Sequence, residues 1–208
     1  MYVKDPNRIE TGSMEIIERE MRPHSFGDFE LQVVKRMIHS TGDFDYQDIV
    51  RFVRNPLDAG ARALKAGCRI VTDTTMAYAG INKRILKKAR CSIDNYVAHE
   101  EVFRLAERNG TTRSIAAVEF AARQDVGIFV VGNAPTALFR LGELILEKRI
   151  APQLIVGVPV GFVGAAESKE YIRSLDVPSI TTVGRKGGSN VAAAILNAIL
   201  YSAIGRDG

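Results

Sequence analysis

Three times in its second half, this chain runs a short apolar stretch into a glycine-rich turn and then into a helical pattern. The first stretch is Ile128 to Val131. It ends in Gly132-Asn133-Ala134-Pro135, and Leu138, Leu141, Leu144 and Ile145 follow at spacings of three and four. Pro135 suits an early helical position. The second stretch, Leu154 to Val158, ends in Pro159-Val160-Gly161-Phe162-Val163-Gly164, and a helix through Ala166, Glu170 and Ile172 follows. The third, Ser179 to Val183, ends in Gly184-Arg185-Lys186-Gly187-Gly188-Ser189, and Ser189 or Asn190 can cap a last helix. Strand, turn and helix in strict alternation predict parallel strands joined by right-handed crossovers.

The front half reads as more helical. Ser13 is expected to cap a short helix through Arg22, and Phe29 to Ile38 reads as a helix with Leu31, Val34 and Ile38 on one face. Pro56 to Ala66 reads as a helix stopped by Gly67, Arg69 to Thr72 as a strand, and Val97 to Arg108 as a helix stopped by Asn109-Gly110. Thr112 is expected to cap one more helix. With 208 residues, there is length for a real core but not for two large domains. The expected fold is α/β: a single domain over residues 1–208, with an open, mostly parallel sheet flanked by helices.

Composition removes several classes. Hydrophobic residues make up 46% and charged residues 25%, an ordinary globular balance that does not favour disorder. Cys68 and Cys91 make no disulfide framework and point to a reducing, cytoplasmic setting. Met1 to Glu20 lacks an apolar signal core. Val191 to Ile204 is interrupted by Asn197 and Ser202 and is too short to span a bilayer, so it reads as a buried helix and no membrane association is expected. The net charge of +4 suits an acidic partner or simple solubility, and no nucleic-acid recognition motif accompanies it.

In an open parallel sheet, ligands bind beyond the carboxyl ends of the strands. The three glycine-rich turns bring Asn133, Thr136, Glu167, Ser168, Lys169, Arg185, Lys186 and Ser189 to that edge. Backbone amides and helix N-termini there favour an anion, although glycines can also serve only to make tight turns. The turn Arg185-Lys186-Gly187-Gly188-Ser189 lacks the spacing of a phosphate loop, and no dinucleotide fingerprint follows the first strand. Of the histidines, His24 reads as a surface loop residue and His99 as a solvated helical one. His39 ends an apolar helix and runs into Ser40-Thr41-Gly42-Asp43. It can be a C-terminal cap or an acid/base group, because imidazole gives and takes protons near neutral pH. Arg113, beside a threonine cap, can fork onto a carboxylate or simply face water. No pair of histidines or cysteines has metal-ligand spacing, so no metal is expected.

Arg36-Met37-Ile38-His39-Ser40-Thr41-Gly42-Asp43 resembles the histidine motif of the precorrin-8X and cobalt-precorrin-8 methylmutases. Five more segments are similar in the same order. They are Asp73 with Met76 and Ala79-Gly80-Ile81; Thr112-Arg113-Ser114; Gly132 to Leu138; Pro159 to Lys169; and Gly184 to Ser189. The resemblance runs from about Ile9 to the C-terminus. It implies an isomerase of cobalamin biosynthesis that shifts a methyl group from C-11 to C-12 of the macrocycle, giving hydrogenobyrinic acid, or cobyrinic acid when cobalt is present. It implies no organic cofactor, a polycarboxylate corrinoid as substrate, and a homodimer with the site near the subunit interface. By the same resemblance His39 transfers protons with the ring, and Ser13 and Arg36 contact substrate. Family motif and loop position together add Arg113 and Lys169 as carboxylate holders and Ser114, Asn133, Thr136 and Ser189 as site-lining residues. A corrinoid carrier and a nucleotide-dependent enzyme are the competing readings; the first predicts binding without isomerisation, the second nucleotide binding.

Overall fold

The three apolar runs of the second half are fully buried strands at the heart of a six-stranded sheet. The computed structural model describes residues 4–206. The first quarter holds α1 (Pro6–Glu20), α2 (Asp28–Thr41), α3 (Tyr46–Ile49) and β1 (Val50–Val53). Next come α4 (Pro56–Lys65), β2 (Arg69–Thr72), α5 (Thr75–Gly80), α6 (Lys83–Lys88) and β3 (Ser92–Asn95). The chain continues through α7 (Glu100–Asn109), α8 (Arg113–Ala121), β4 (Ile128–Val131), α9 (Pro135–Leu146) and β5 (Leu154–Gly157). It closes with α10 (Ala165–Ser174), β6 (Ser179–Thr182) and α11 (Ser189–Ile204).

The sheet order is β1-β6-β5-β4-β2-β3. Every pairing is parallel except β1 with β6, where Val50 faces Thr182 and Val53 faces Ser179. The expected open, mostly parallel sheet is therefore present, with one antiparallel edge strand. Alternation along the strands divides the core. Ile128, Val130, Leu154, Val156 and Ile180 join α2, α4 and α11 on one face. Phe129, Val131 and Ile155 join α8, α9 and α10 on the other. The last helix is apolar on nearly every side and packs against α2, α4 and α5, which makes it the buried helix expected. Among the described residues, no helix is long and apolar enough to cross a membrane.

Several boundaries differ from expectation. Ser13 does not cap a helix: it lies in the middle of α1, and its hydroxyl donates to the Ile9 carbonyl at 2.7 Å. A serine inside a helix satisfies itself against the preceding turn in this way, and Arg22 falls beyond the helix end. Neither Ser189 nor Asn190 caps α11. Gly188, at φ 135°, holds the cap position and Ser189 is the first helical residue. His99 sits at the N-cap of α7 rather than within it, exposed and 5.0 Å from the Phe120 ring. Strands β1 and β3 were not expected from the sequence.

Candidate active site

Strand order reverses between β2 and β4: the chain leaves β2 outward to β3, then returns to β4 on the other side. A crevice forms at such a point, beyond the carboxyl ends of the strands. Asp73 follows β2 there. Its carboxylate accepts from the backbone N–H groups of Gly132 (2.9 Å), Asn133 (2.8 Å) and Ala134 (2.9 Å), in the turn beyond β4. Its own N–H donates to Val130 O at 3.0 Å. Burial pushes the Asp73 carboxyl above its ordinary range, against the pull of the three amides. Gly132 has no room for a side chain, because a Cβ would lie 2.6 Å from the Ser189 Cα. The turns beyond β2 and β4 and the start of α11 thus meet at one spot.

Polar groups gather around it. Thr74 caps α5 and shares a 2.7 Å hydrogen bond with the hydroxyl of Ser189. Thr112 caps α8 as expected, accepting from Ile115 N–H, and its hydroxyl lies 3.3 Å from that of Thr136. Ser114 lines a crevice of about 10 Å³ with Thr72 and Asp73, room for one water. Arg113 is exposed, with its guanidinium 5.1 Å from the Phe103 ring centre. Asn133 and Thr136 are exposed as well. The N-termini of α5, α9, α10 and α11 all follow parallel strands to this edge, so their dipoles favour negative charge there.

His39 reaches the same edge by another route. It stands in the last turn of α2, which Gly42 closes at φ 67°, its N–H donating to Ile38 O at 2.7 Å. Three contacts bind this turn to the segment beyond β6. Asn190 Nδ2 donates to Ser40 O (3.3 Å), and Tyr46 OH to Gly187 O (3.3 Å). Lys186 Nζ sits between Asp43 (2.6 Å) and Asp45 (2.7 Å), whose hydrogen bonds push its ammonium well above the usual range. The imidazole of His39 is exposed and has no hydrogen-bond partner among the described residues.

Three expected residues stand differently. Arg36 Nη2 binds Glu10 at 2.9 Å, and its guanidinium lies 4.8 Å from the Tyr201 ring centre. Arg206 binds the same carboxylate, and the two arginines hold Glu10 below its ordinary range against burial. Arg36 and Ser13 therefore group with α1 and the end of α11, not with the turns at the sheet's carboxyl edge. Lys169 needs a correction too: it is wholly buried, donating to Thr182 Oγ1 (3.0 Å) and Lys186 O (2.9 Å). In this conformation it offers no surface to a carboxylate; it braces the turn after β6 instead. Burial, with Arg173 nearby, pushes its amine down to about 8. Ser168 is buried likewise, donating to Ala165 O.

Sequence reading missed the roles of Asp73, Tyr46 and the Lys186 clamp. Only Asp73 left a usable signal, as an acidic residue directly after a strand and before Thr74, a capping residue.

The precorrin-8X methylmutase family model matches residues 8–202. The cobalt-precorrin-8 methylmutase of Salmonella typhimurium is 47% identical over 207 residues, covering 96% of this chain and 97% of that protein. The cobalt-precorrin-8 methylmutase of Priestia megaterium is 44% identical over 195 residues, 93% and 87% of the two chains. The solved structure of a precorrin-8X methyl mutase from Thermus thermophilus superposes with a TM-score of 0.89 at 40% identity, over 97% of this chain and 98% of that one.

Proposed function

Because this chain belongs to the precorrin-8X methylmutase family, we propose that it moves the methyl group from C-11 to C-12 of cobalt-precorrin-8 or precorrin-8X, with His39 as proton donor and acceptor. The observation that carries the reading is the docking of the His39 turn onto the segment beyond β6. It sets an exposed imidazole, with no hydrogen-bond partner among the described residues, beside the turn beyond β6. A general acid or base needs a ring nitrogen open to the substrate, and an exposed imidazole provides one.

The reaction is an isomerisation, so no atoms are gained or lost overall. A proton taken from the ring at one position and returned at another rearranges its double bonds. The methyl group then migrates within the tautomer that permits a 1,5-shift. Imidazole suits both halves of that exchange. Much of the remaining acceleration comes from holding one substrate molecule in a single orientation.

The substrate is a broad apolar ring with a rim of carboxylates. Arg113, the exposed amide of Asn133, the hydroxyls of Thr136, Ser114 and Ser189, and the helix N-termini supply donors for that rim. Arg36 joins them by exchanging Glu10 for a substrate carboxylate, with Ser13 on the adjoining helix. Lys169 acts from beneath, by supporting the turn that carries Arg185 and Lys186.

Both curated relatives described above are named for the cobalt substrate, so cobalt-precorrin-8 is tested first and the metal-free form in parallel. Mixed with the purified protein, the substrate spectrum should convert to that of cobyrinic or hydrogenobyrinic acid. His39→Ala should slow the conversion by about 10²- to 10⁴-fold. Near-normal turnover in that variant would remove His39 from the chemistry. Tight binding of both forms without conversion would favour a carrier.

A further inference from the structure

Polar recognition leaves one feature of the carboxyl edge unused. Beyond β5 the chain projects Phe162 and Val163 into solvent, 82% and 90% exposed, with Val160 also exposed. Apolar side chains exposed side by side are a place where a partner can remove surface from water. The stem of the turn is firmly held. Val160 N–H donates to Gly132 O (3.3 Å), Gly161 N–H to Arg185 O (3.1 Å), and Gly188 N–H to Val158 O (2.9 Å). At its far end Gly164 takes φ 75°, a left-handed conformation that turns the chain into α10. The neighbouring turns therefore hold the apolar tip out. From the turn beyond β6, Arg185 lays its guanidinium over the Phe162 ring, 5.2 Å from its centre.

We infer that Phe162, Val163 and Arg185 form a platform for one margin of the corrinoid, an inference that rests on the proposed methyl migration for its ligand. Phe162 and Val163 meet the apolar face of the macrocycle, and Arg185 binds a carboxylate on its rim. Charge and shape together select this occupant. A guanidinium stacked on a ring keeps its in-plane N–H donors free for a carboxylate. Apolar surface and cation stand side by side here, as ring face and carboxylate do in the ligand. The Val160 and Gly161 hydrogen bonds tie the platform to the turns beyond β4 and β6, so it is continuous with the candidate active site.

The test is a visible-absorbance titration with cobyrinic acid, at low and high salt, of wild type, Phe162→Ala and Arg185→Gln. Both substituted side chains are on the surface, so the variants should fold. Phe162→Ala should weaken binding about tenfold at either salt concentration. Arg185→Gln should weaken it at low salt by a factor that shrinks as salt rises, since an exposed charge pair is screened. Sedimentation of the same samples reports the oligomeric state. Unchanged affinity in Phe162→Ala overturns the platform, and if the assembly also dissociates, the tip belongs to a second copy of the chain. A wild type that binds neither cobyrinic acid nor the cobalt substrate overturns the methylmutase reading as well, so the two failures are told apart.

Discussion

The two edges of the parallel sheet are built from similar small residues but differ in what those residues enclose. At the amino edge, a Cβ on Gly127 would lie 2.7 Å from Cys68 Cβ, and Gly67 takes φ 78° against the carbonyl of Arg90. Cys68 and Cys91 immediately precede the paired residues Arg69 and Ser92. Hydrogen bonding to Cys91 and burial push the Cys68 thiol up, while Cys91 Sγ donates to Leu64 O at 3.3 Å. A hollow of about 430 Å³ opens there, lined by Arg69, Asp125 and Gln153 among others. The carboxyl-edge crevice is only about 10 Å³. Yet the N-termini of α5, α9, α10 and α11, the His39 turn and the exposed Asn133 all lie at the carboxyl edge. The proposed site therefore follows strand direction and not the larger hollow, because strand direction decides which ends of the helices would face a ligand.

The sharpest division between the edges should come from His39→Ala. It is expected to lower kcat by about 10²- to 10⁴-fold and leave the unfolding temperature unchanged, as the imidazole is exposed. A fall in thermal stability in that variant would blur the division. Next is a matched pair of glycines. Gly132→Ala and Gly127→Ala should each cost about 1–3 kcal/mol in urea unfolding, since each Cβ meets fixed atoms. Only Gly132→Ala should also impair turnover, by displacing Ser189 and the start of α11. Equal loss of activity in both would erase the distinction.

A third prediction concerns pH. The Lys169 amine falls from an ordinary 10.5 to about 8 in the folded state. Between those values the unfolded chain holds a proton that the folded chain lacks, so stability rises with pH. Below about 8 both states are charged and the burden of the buried ammonium is constant. The rise in unfolding temperature from pH 8 to 10 should therefore be smaller in Lys169→Met than in wild type; equal slopes would sink it. The smallest effect belongs to the amino edge, where Cys91→Ala should cost about 1 kcal/mol with unchanged kcat.

The second half was legible because β4 and β5 are apolar on both faces, β6 is short and β-branched, and each run leads into a glycine turn. The sequence could not announce β1 or β3. Val50 to Val53 and Ser92 to Asn95 are four-residue edge strands whose state comes from their partners, not from pattern. The His39 turn and the turns beyond β4, β5 and β6 were readable because capping residues and glycine loops leave local traces. The Asp73 clasp was not, since its donors are backbone amides some sixty residues away. Ser13 misled because the same hydroxyl that caps a helix also satisfies itself inside one. Lys169 misled because nothing local to its sequence shows that its amine turns inward.

The pairing of α2 with α11 fixes when the His39 turn can take its place. His39 emerges from the ribosome early, but the helix that fixes its position begins at Ser189. At about 5–20 residues per second, the intervening stretch takes roughly ten seconds or more to translate. Through that interval β4 and β5 can already pair while β1 has no β6 to join. The scaffold of parallel strands can thus form well before the turn that carries His39 is seated.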